Sequence, residues 1–152
     1  MVSTGLDLEQ LLPRLLGRAA DTYHVRLTEH LVRLGLGLDL GHVVVLMNVW
    51  HRPGLSQCFF ARVAGRNRTF ITRAVDNLEK DGLLRREIDQ DDRRRKRLYL
   101  TPAGRRLVKR LLPVWQRLDR EALDGIESSD VQTCRTVLER VFRNLGGEDD
   151  GF

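Results

Sequence analysis

Apolar residues recur every three or four positions along most of the chain, a spacing that places them on one face of an α-helix. The spacing predicts four longer helices. They span about residues 8–34, 39–50, 102–123 and 129–145. The first is expected to bend near Pro13 and Gly17, because proline and glycine both weaken a helix interior. Residues 146–152 are glycine-rich and acidic, and they are expected to form a flexible tail.

The predicted helix starts coincide with residues that commonly cap helices. Asp39 suits the start of the second helix, because its carboxylate can accept free backbone N–H groups of the first turn. Thr101 precedes Pro102, and proline is tolerated at the first helical position. Ser129 and Gln132 have the spacing of a capping box, which predicts that they begin the last helix.

A shorter amphipathic helix is predicted over about residues 67–79, capped by Asn67 and closed by Gly82. Its apolar face is formed by Phe70, Ile71, Ala74, Val75 and Leu78. The opposite face carries Arg68, Thr69, Thr72 and Arg73. Arginine can pair with guanine O6 and N7, and a threonine methyl can contact a thymine methyl in the major groove. The stretch therefore suits a DNA-recognition helix, with a solvated helix of an ordinary bundle as the alternative.

The segments on either side of this helix favour a winged helix-turn-helix. Before it, Ser56 can cap a short helix that holds Phe59, Phe60 and Val63, and a turn through Gly65 follows. After it, residues 84–88 and 97–100 form two strand candidates around a charged hairpin tip. Such a basic hairpin can act as a wing along the phosphate backbone, and the alternative is a tip that is merely solvated.

The charge distribution of the chain favours a polyanionic partner that binds near these elements. The 152 residues carry a net charge of +5, and a single domain is expected at this length. Residues 62–97 hold twelve cations and seven acids, so this quarter of the chain supplies an excess equal to the whole net charge. The positive field is therefore local, as expected for a nucleic-acid surface.

The sequence lacks the motifs that would indicate other classes of function. It contains no GxSxG, HExxH, CxxC or GxxxxGK[ST] motif, so no enzyme activity and no cofactor are expected. The four histidines show no i, i+4 pair, so no metal site is expected. Cys58 and Cys134 are expected to be buried small hydrophobes. No signal peptide or membrane span is predicted, which together with the cysteines suggests the cytoplasm.

Five motifs in order over some fifty residues resemble the winged-helix core of the MarR (multiple antibiotic resistance regulator) family. They are Leu55-Ser56-Gln57, the segment 68–73, Leu78-Glu79-Lys80-Asp81-Gly82-Leu83, Asp92-Arg93-Arg94 and Leu100-Thr101-Pro102-Ala103-Gly104. The flanking helices fit as well, so the resemblance covers nearly the whole chain. Phe59-Phe60 and His42 depart from the usual pattern, in ways that could reshape a pocket.

The resemblance implies a mainly α fold with a small β-wing, organised as a single domain over residues 1–145. A winged-helix lobe over about residues 39–101 would bind DNA, and the longer helices 8–34, 102–123 and 129–145 would form a homodimer. The implied function is a transcriptional regulator, most simply a repressor that binds a pseudo-palindromic double-stranded operator. The DNA-binding candidates are Arg66, Arg68, Thr69, Thr72, Arg73, Asp92, Arg93, Arg94 and Arg95.

Relatives of this family commonly release DNA when a small phenolic or carboxylate effector binds between the dimer helices and the DNA-binding lobe. The residues near this crevice are Tyr23, His24, Arg26, His30, His42, Met47, Trp50 and His51. Two alternatives remain open: a winged helix that binds only proteins, and a regulator that senses oxidation through cysteine. The sequence does not identify the operator, the regulated genes or the effector.

Overall fold

The computed structural model describes residues 11–57, 59–60 and 68–147. The chain is mainly helical with one small antiparallel sheet, which confirms the predicted fold class. Contacts divide it into two compact units, Met1–Leu118 and Asp119–Phe152. The organisation as one domain stays a prediction. Within the described ranges, no helix is long and apolar enough to cross a membrane.

Helix α1 (Leu12–Arg33) holds Pro13 in its first turn, where the missing N–H has no intrahelical partner to lose. Pro13 therefore begins the helix, and the predicted bend there is wrong; the predicted start at Leu8 lies outside the described residues. The helix ends at Arg33, and Gly35, just after the C-cap residue Leu34, has a φ of 63°. Its next N–H, that of Leu36, donates to the carbonyl of Leu31 at 3.1 Å, which closes the last turn.

Helix α2 (Leu40–His51) begins after Asp39, as predicted. The Asp39 carboxylate accepts the backbone N–H of His42 at 3.0 Å, and Nδ1 of His42 accepts the backbone N–H of Asp39 at 3.1 Å. This reciprocal pair is a capping box with histidine in the position usually held by Glu or Gln.

The sheet contains three antiparallel strands in the order β1-β3-β2. They are β1 (Leu55–Ser56), β2 (Leu84–Ile88) and β3 (Lys96–Leu100). Leu98 lies at the centre, opposite Leu55 in β1 and Arg86 in β2. The two hairpin strands confirm the predicted wing, whereas β1 was not predicted because two residues are too short to show an alternating pattern.

Helix α3 (Arg68–Lys80) follows β1 and precedes β2 along the chain. Its last residue, Lys80, is one position beyond the end predicted for the recognition helix. Gly82 closes it with a φ of 68°, a conformation that glycine adopts without steric cost. Before α3, the described residues Gln57, Phe59 and Phe60 are helical, and the Ser56 hydroxyl accepts the N–H of Phe59 at 3.2 Å. The predicted cap at Ser56 is thus confirmed, while Asn67 and Val63 lie outside the described residues.

Helix α4 (Pro102–Ala122) is fixed to the sheet at its first turn. The Thr101 hydroxyl accepts the N–H of Gly104 at 3.1 Å and donates to the carbonyl of Gly82 at 2.7 Å. A Cβ on Gly104 would lie 2.1 Å from the carbonyl oxygen of Leu83, so this approach needs glycine. The threonine cap predicted from the sequence therefore also joins α4 to the end of α3.

The apolar core of the first unit is built from α1 to α4, the helical residues Phe59 and Phe60, and strands β2 and β3. It contains Leu27, Leu31, Val43, Val45, Leu46, Val49, Phe59, Phe60, Ile71, Ala74, Val75, Leu78, Leu84, Leu98, Leu100, Val108, Leu111 and Leu118. Phe70 was predicted on the buried face of α3 but is 40% exposed, because it lies at the edge of that face against Gly41 of α2.

Helix α5 (Ser128–Asn144) is the main element of the second unit, and none of its residues is buried. Glu127 is its N-cap and makes no side-chain capping hydrogen bond. The capping box predicted at Ser129 and Gln132 is wrong, because the helix begins one residue earlier and Ser129 lies inside its first turn. Among the described residues of this unit, the large apolar side chains that are exposed are Ile126, Val137, Leu138, Phe142 and Leu145.

Candidate nucleic-acid interface

Helix α3 presents a polar face to solvent and buries the opposite one. Thr69, Thr72 and Arg73 are exposed, whereas the apolar residues three and four positions apart face the core. The helix approaches α2 closely at Gly41, since a Cβ there would lie 2.7 Å from the ring of Phe70. Short hydroxyls and one long guanidinium therefore project from a rigidly packed helix, as base and phosphate recognition in a major groove require.

Two of the predicted DNA-binding residues cannot be placed in this way. Arg66 and the side chain of Arg68 lie outside the described part of the chain. Their contacts with DNA stay predictions that rest on the sequence pattern alone.

The base of the wing is organised by a buried carboxylate. Asp89 is 4% exposed, and its side chain accepts the N–H of Asp91 at 3.0 Å and Nε of Arg97 at 2.8 Å. The hydrogen bond from Asp91, reinforced by the Arg97 guanidinium, holds the pKa of Asp89 below its ordinary value. Arg97 also donates to the carbonyl of Gly54 at 3.3 Å, so the charged pair joins the wing to the turn before β1.

The tip of the wing is ordered by a second aspartate. Asp92 accepts the N–H of Arg94 on its carboxylate at 3.0 Å and the N–H of Arg95 on its carbonyl at 2.8 Å. Its carboxylate also lies 3.1 Å from Nε of Arg95. Arg93 and Arg94 are exposed at the tip. The turn therefore projects two arginines, while the third is held against Asp92.

Arg86 connects the wing to the recognition helix and was not predicted from the sequence. It lies in β2 with a side chain only 14% exposed, and its guanidinium pairs with Asp76 and Glu79 of α3. The sequence did contain an indication of these ion pairs, because Asp76 and Glu79 are three residues apart and therefore lie on one face of α3. Which strand residue faces them could not be known without the packing of β2 on α3.

Of the effector candidates on α1, Tyr23, Arg26 and His30 have an i, i+3, i+7 spacing that places them on one face of the helix, whereas His24 lies on another face. Tyr23 is half-buried and packs against the core, and His24 is exposed. Arg26 is exposed and pairs with Glu29 at 3.0 Å, and His30 is half-buried near the end of the helix. His24 lies at least about 100° around the helix from each of the other three, so it does not share their face.

The effector candidates on α2 have different surroundings. His42 is buried, and its Nδ1 is engaged in the helix cap. Met47 and Trp50 are half-buried against the core, and Trp50 also lines a cavity beside the wing. His51 is exposed at the end of α2. Four residues that share this cavity with Trp50 belong to the strands and to α4, so the sequence alone did not indicate that they lie near it: Arg85, Tyr99, Leu100 and Arg105.

The cysteines and possible metal ligands add no further site. Cys134 is exposed on α5, so its predicted burial is wrong, because that helix buries no residue within the chain. Cys58 lies outside the described residues. Across the ranges 11–57, 59–60 and 68–147, no group of three or more His, Cys, Asp or Glu residues could hold a metal ion.

Comparison with known proteins finds similar sequences for the part of the chain that carries the recognition helix and the wing. A sequence model of the MarR family matches residues 38–96, which extend from just before α2 to the start of β3. YybA, an uncharacterised HTH-type transcriptional regulator of Bacillus subtilis (strain 168), is 27% identical over 110 residues, or 72% of this chain and 73% of YybA.

Solved structures share the fold over nearly the full length. A MarR-family transcriptional regulator from Silicibacter pomeroyi aligns with a TM-score of 0.79 and 28% identity, covering 95% of this chain and 94% of that one. A MarR-family regulator from Listeria monocytogenes, solved in complex with a 26-mer DNA, aligns with a TM-score of 0.79. It is 22% identical, with coverage of 90% and 89%, so that likeness concerns the fold.

Proposed function

The chain belongs to the MarR family of transcriptional regulators, which are DNA-binding proteins and not enzymes, and from this premise we propose that it is a homodimeric repressor. In this proposal it binds a pseudo-palindromic double-stranded operator in the cytoplasm. A small aromatic or carboxylate effector then releases it. No metal or cofactor takes part.

The observation that carries the proposal is the pairing of two basic, exposed surfaces on one lobe. Helix α3 exposes Thr69, Thr72 and Arg73, and the wing exposes Arg93 and Arg94. The major groove is wide enough to admit an α-helix, and an ordered arginine at a wing tip suits the negative potential of a narrow minor groove. The Listeria regulator, which has this fold, was solved with DNA.

Dimerisation is supported by the apolar surface that a single chain leaves uncovered. In α1, Leu12, Leu15 and Leu16 are exposed, and α5 buries no residue at all. Apolar residues left exposed along a helix in this way usually mark an interface in a protein that folds in water. A two-fold dimer would place two copies of α3 in successive major grooves, about 34–36 Å apart along the DNA.

The test is selection of binding sites from a pool of random duplexes, followed by fluorescence anisotropy on the enriched sequence. We expect a pseudo-palindrome whose two half-sites are one helical turn apart. The logarithm of affinity should fall linearly with the logarithm of salt concentration, because Lys and Arg displace counterions from phosphates. Arg73→Ala should weaken binding by about 1–3 kcal/mol. Lys80→Ala, at the opposite end of the same helix, is the matched control.

Two results would contradict this proposal. Enrichment of no sequence, with only weak non-specific binding, would favour a winged helix that serves a protein partner. Equal losses for the Arg73 and Lys80 variants would mean that α3 contributes only general positive charge and does not read the operator.

A further inference from the structure

One apolar side chain of α3 differs from the others in its exposure. Phe70 is 40% exposed, whereas the other apolar residues of the same helix face are at most 7% exposed. Single exposed apolar residues are common on protein surfaces, so exposure alone assigns no role. The position of Phe70 is what distinguishes it, because it lies in the first turn of α3, next to the polar face that carries Thr69 and Arg73.

The helical repeat places Phe70 beside Arg73. Residues three apart on an α-helix are neighbours on its surface, with Cβ atoms about 5–6 Å apart. Arg73 is exposed and contacts DNA in the proposed function. On the other flank of the polar face, Arg86 of β2 pairs with Asp76 and Glu79. The open part of α3 therefore lies between β2 and α2, and Phe70 borders it on the α2 side.

The ring of Phe70 is held in place by α2. A Cβ on Gly41 would lie 2.7 Å from Cε1 and 3.1 Å from Cζ of the ring, so this edge lies directly over the backbone of α2. The same point is 3.2 Å from Cβ of Ala74, one turn further along α3. Glycine permits this close approach because it has no side chain. The exposed part of the ring is therefore presented in a fixed position, which lowers the side-chain entropy lost when DNA binds.

The major groove offers one apolar group to such a ring. Each base pair displays hydrogen-bonding atoms there, and thymine adds its C5 methyl group. The N-terminal residues of a recognition helix contact the base edges in this groove. We propose that Phe70 recognises the C5 methyl group of a thymine in each half-site of the operator. This inference rests on the proposed function, and it adds an apolar specificity contact to the polar and basic ones.

The contact removes apolar surface of both the ring and the methyl group from water. Burial of one methyl group corresponds to about fourfold in affinity. Cytosine, adenine and guanine lack this methyl group, so the ring favours thymine over all three. The Cβ atoms of Phe70 and Arg73 are about 5–6 Å apart and successive base pairs about 3.4 Å apart. The thymine should therefore lie within about two base pairs of the position that Arg73 contacts.

The test is fluorescence anisotropy of the full-length protein on the operator enriched from random duplexes. Each thymine of one half-site is replaced in turn by deoxyuridine, which still pairs with adenine but lacks the methyl group. We expect one position at which this replacement weakens binding by about fourfold. In Phe70→Ala, the same replacement should change the affinity by less than about twofold, because the partner of the methyl group is gone. Thr72→Ser, which removes a methyl group from the same helix, is the control and should keep the fourfold effect at that position.

A second variant separates recognition from packing. Phe70→Leu keeps apolar contact with Gly41 but shortens the exposed side chain, so its response to deoxyuridine should be smaller than that of the parent. The affinities for the thymine and deoxyuridine duplexes are compared within each variant. A general loss of stability therefore cancels in the ratio, and far-ultraviolet circular dichroism checks that each variant is folded.

Two results would overturn the inference. One is the absence of any position at which deoxyuridine weakens binding by the parent. The other is a loss of equal size in the parent and in both Phe70 variants, which would assign the methyl group to another residue. Either result with intact operator binding rejects this contact alone, whereas enrichment of no operator rejects the proposed function and this inference with it.

Discussion

Asp92 orders the backbone of the wing tip that carries Arg93, Arg94 and Arg95. Its carboxylate accepts the N–H of Arg94 and lies beside Arg95, so the turn is fixed by hydrogen bonds that start from one side chain. Arg94 and Arg95 are both exposed, and Arg95 also forms an ion pair with Asp92. The chain thereby presents Arg94 in an ordered backbone, which lowers the entropy lost when the side chain enters a groove.

We therefore expect Arg94→Ala to weaken operator binding by about 1–3 kcal/mol, the range for one specific arginine contact with DNA. Anisotropy titrations at several salt concentrations measure both the affinity and its salt slope. Arg106→Ala removes an equal charge from α4 and is the control. If both variants lose the same affinity, the wing contributes only to the overall positive field.

Single residues were predictable where the chemistry is local. Asp39, Ser56 and Thr101 cap the helices that the sequence assigned to them, because a capping bond spans only three residues. Ser129 failed as a cap because the true helix start is one residue earlier. Arg85 and Arg105 were not recognised as neighbours of Trp50, since their proximity depends on strand register and on how α4 leaves the sheet.

At the scale of elements, Arg86 is the main polar link between the wing and the recognition helix. Its side chain is largely buried, whereas its partners Asp76 and Glu79 are partly exposed. Removing the cation would leave two carboxylates three residues apart on α3 with no counter-charge. Because both acids keep part of their hydration, the loss should be smaller than for a fully buried ion pair.

We expect Arg86→Met to lower the free energy of unfolding by about 1–2 kcal/mol. Each kcal/mol lost should lower Tm by about 2–4 °C. Adding Asp76→Asn and Glu79→Gln should recover part of the loss, since the uncompensated charges are then gone. Lys80→Met removes an exposed cation from the end of α3 and should have little effect. Thermal melts at equal protein concentration decide between these outcomes, and no recovery in the triple variant would contradict the ion-pair account.

The elements themselves were largely predictable from the sequence. The apolar period located α1 to α5 and both strands of the hairpin, since each is long enough to show its own repeat. Strand β1 was missed because it exists through its pairing with β3 and not through a pattern of its own. Phe70 shows the same limit: the repeat put it on the apolar face, but only the packing of α3 on α2 sets how much of it is covered.

At the scale of the whole molecule, α1 and α5 each leave apolar side chains exposed that a partner could cover. Val137 is 47% exposed and Phe142 49% exposed on α5, and Leu15 is 50% exposed on α1. Isolated exposed apolar residues are ordinary, but helices with an uncovered stripe of them usually belong to an interface. In the proposed function this partner is a second copy of the chain, because a pseudo-palindromic site would be bound by two recognition helices related by a two-fold axis.

The double variant Leu138→Glu and Phe142→Glu therefore should convert the protein from dimer to monomer, because two charges on the uncovered face of α5 oppose its burial. Sedimentation velocity measures the change in mass. Loss of the second recognition helix should weaken operator binding by at least about a hundredfold, since the two half-sites are no longer bound together. Glu139→Gln and Arg140→Gln on the same helix form the control. A variant that stays dimeric would show that α5 is not in the interface, and a monomer with undiminished operator affinity would mean that one lobe suffices.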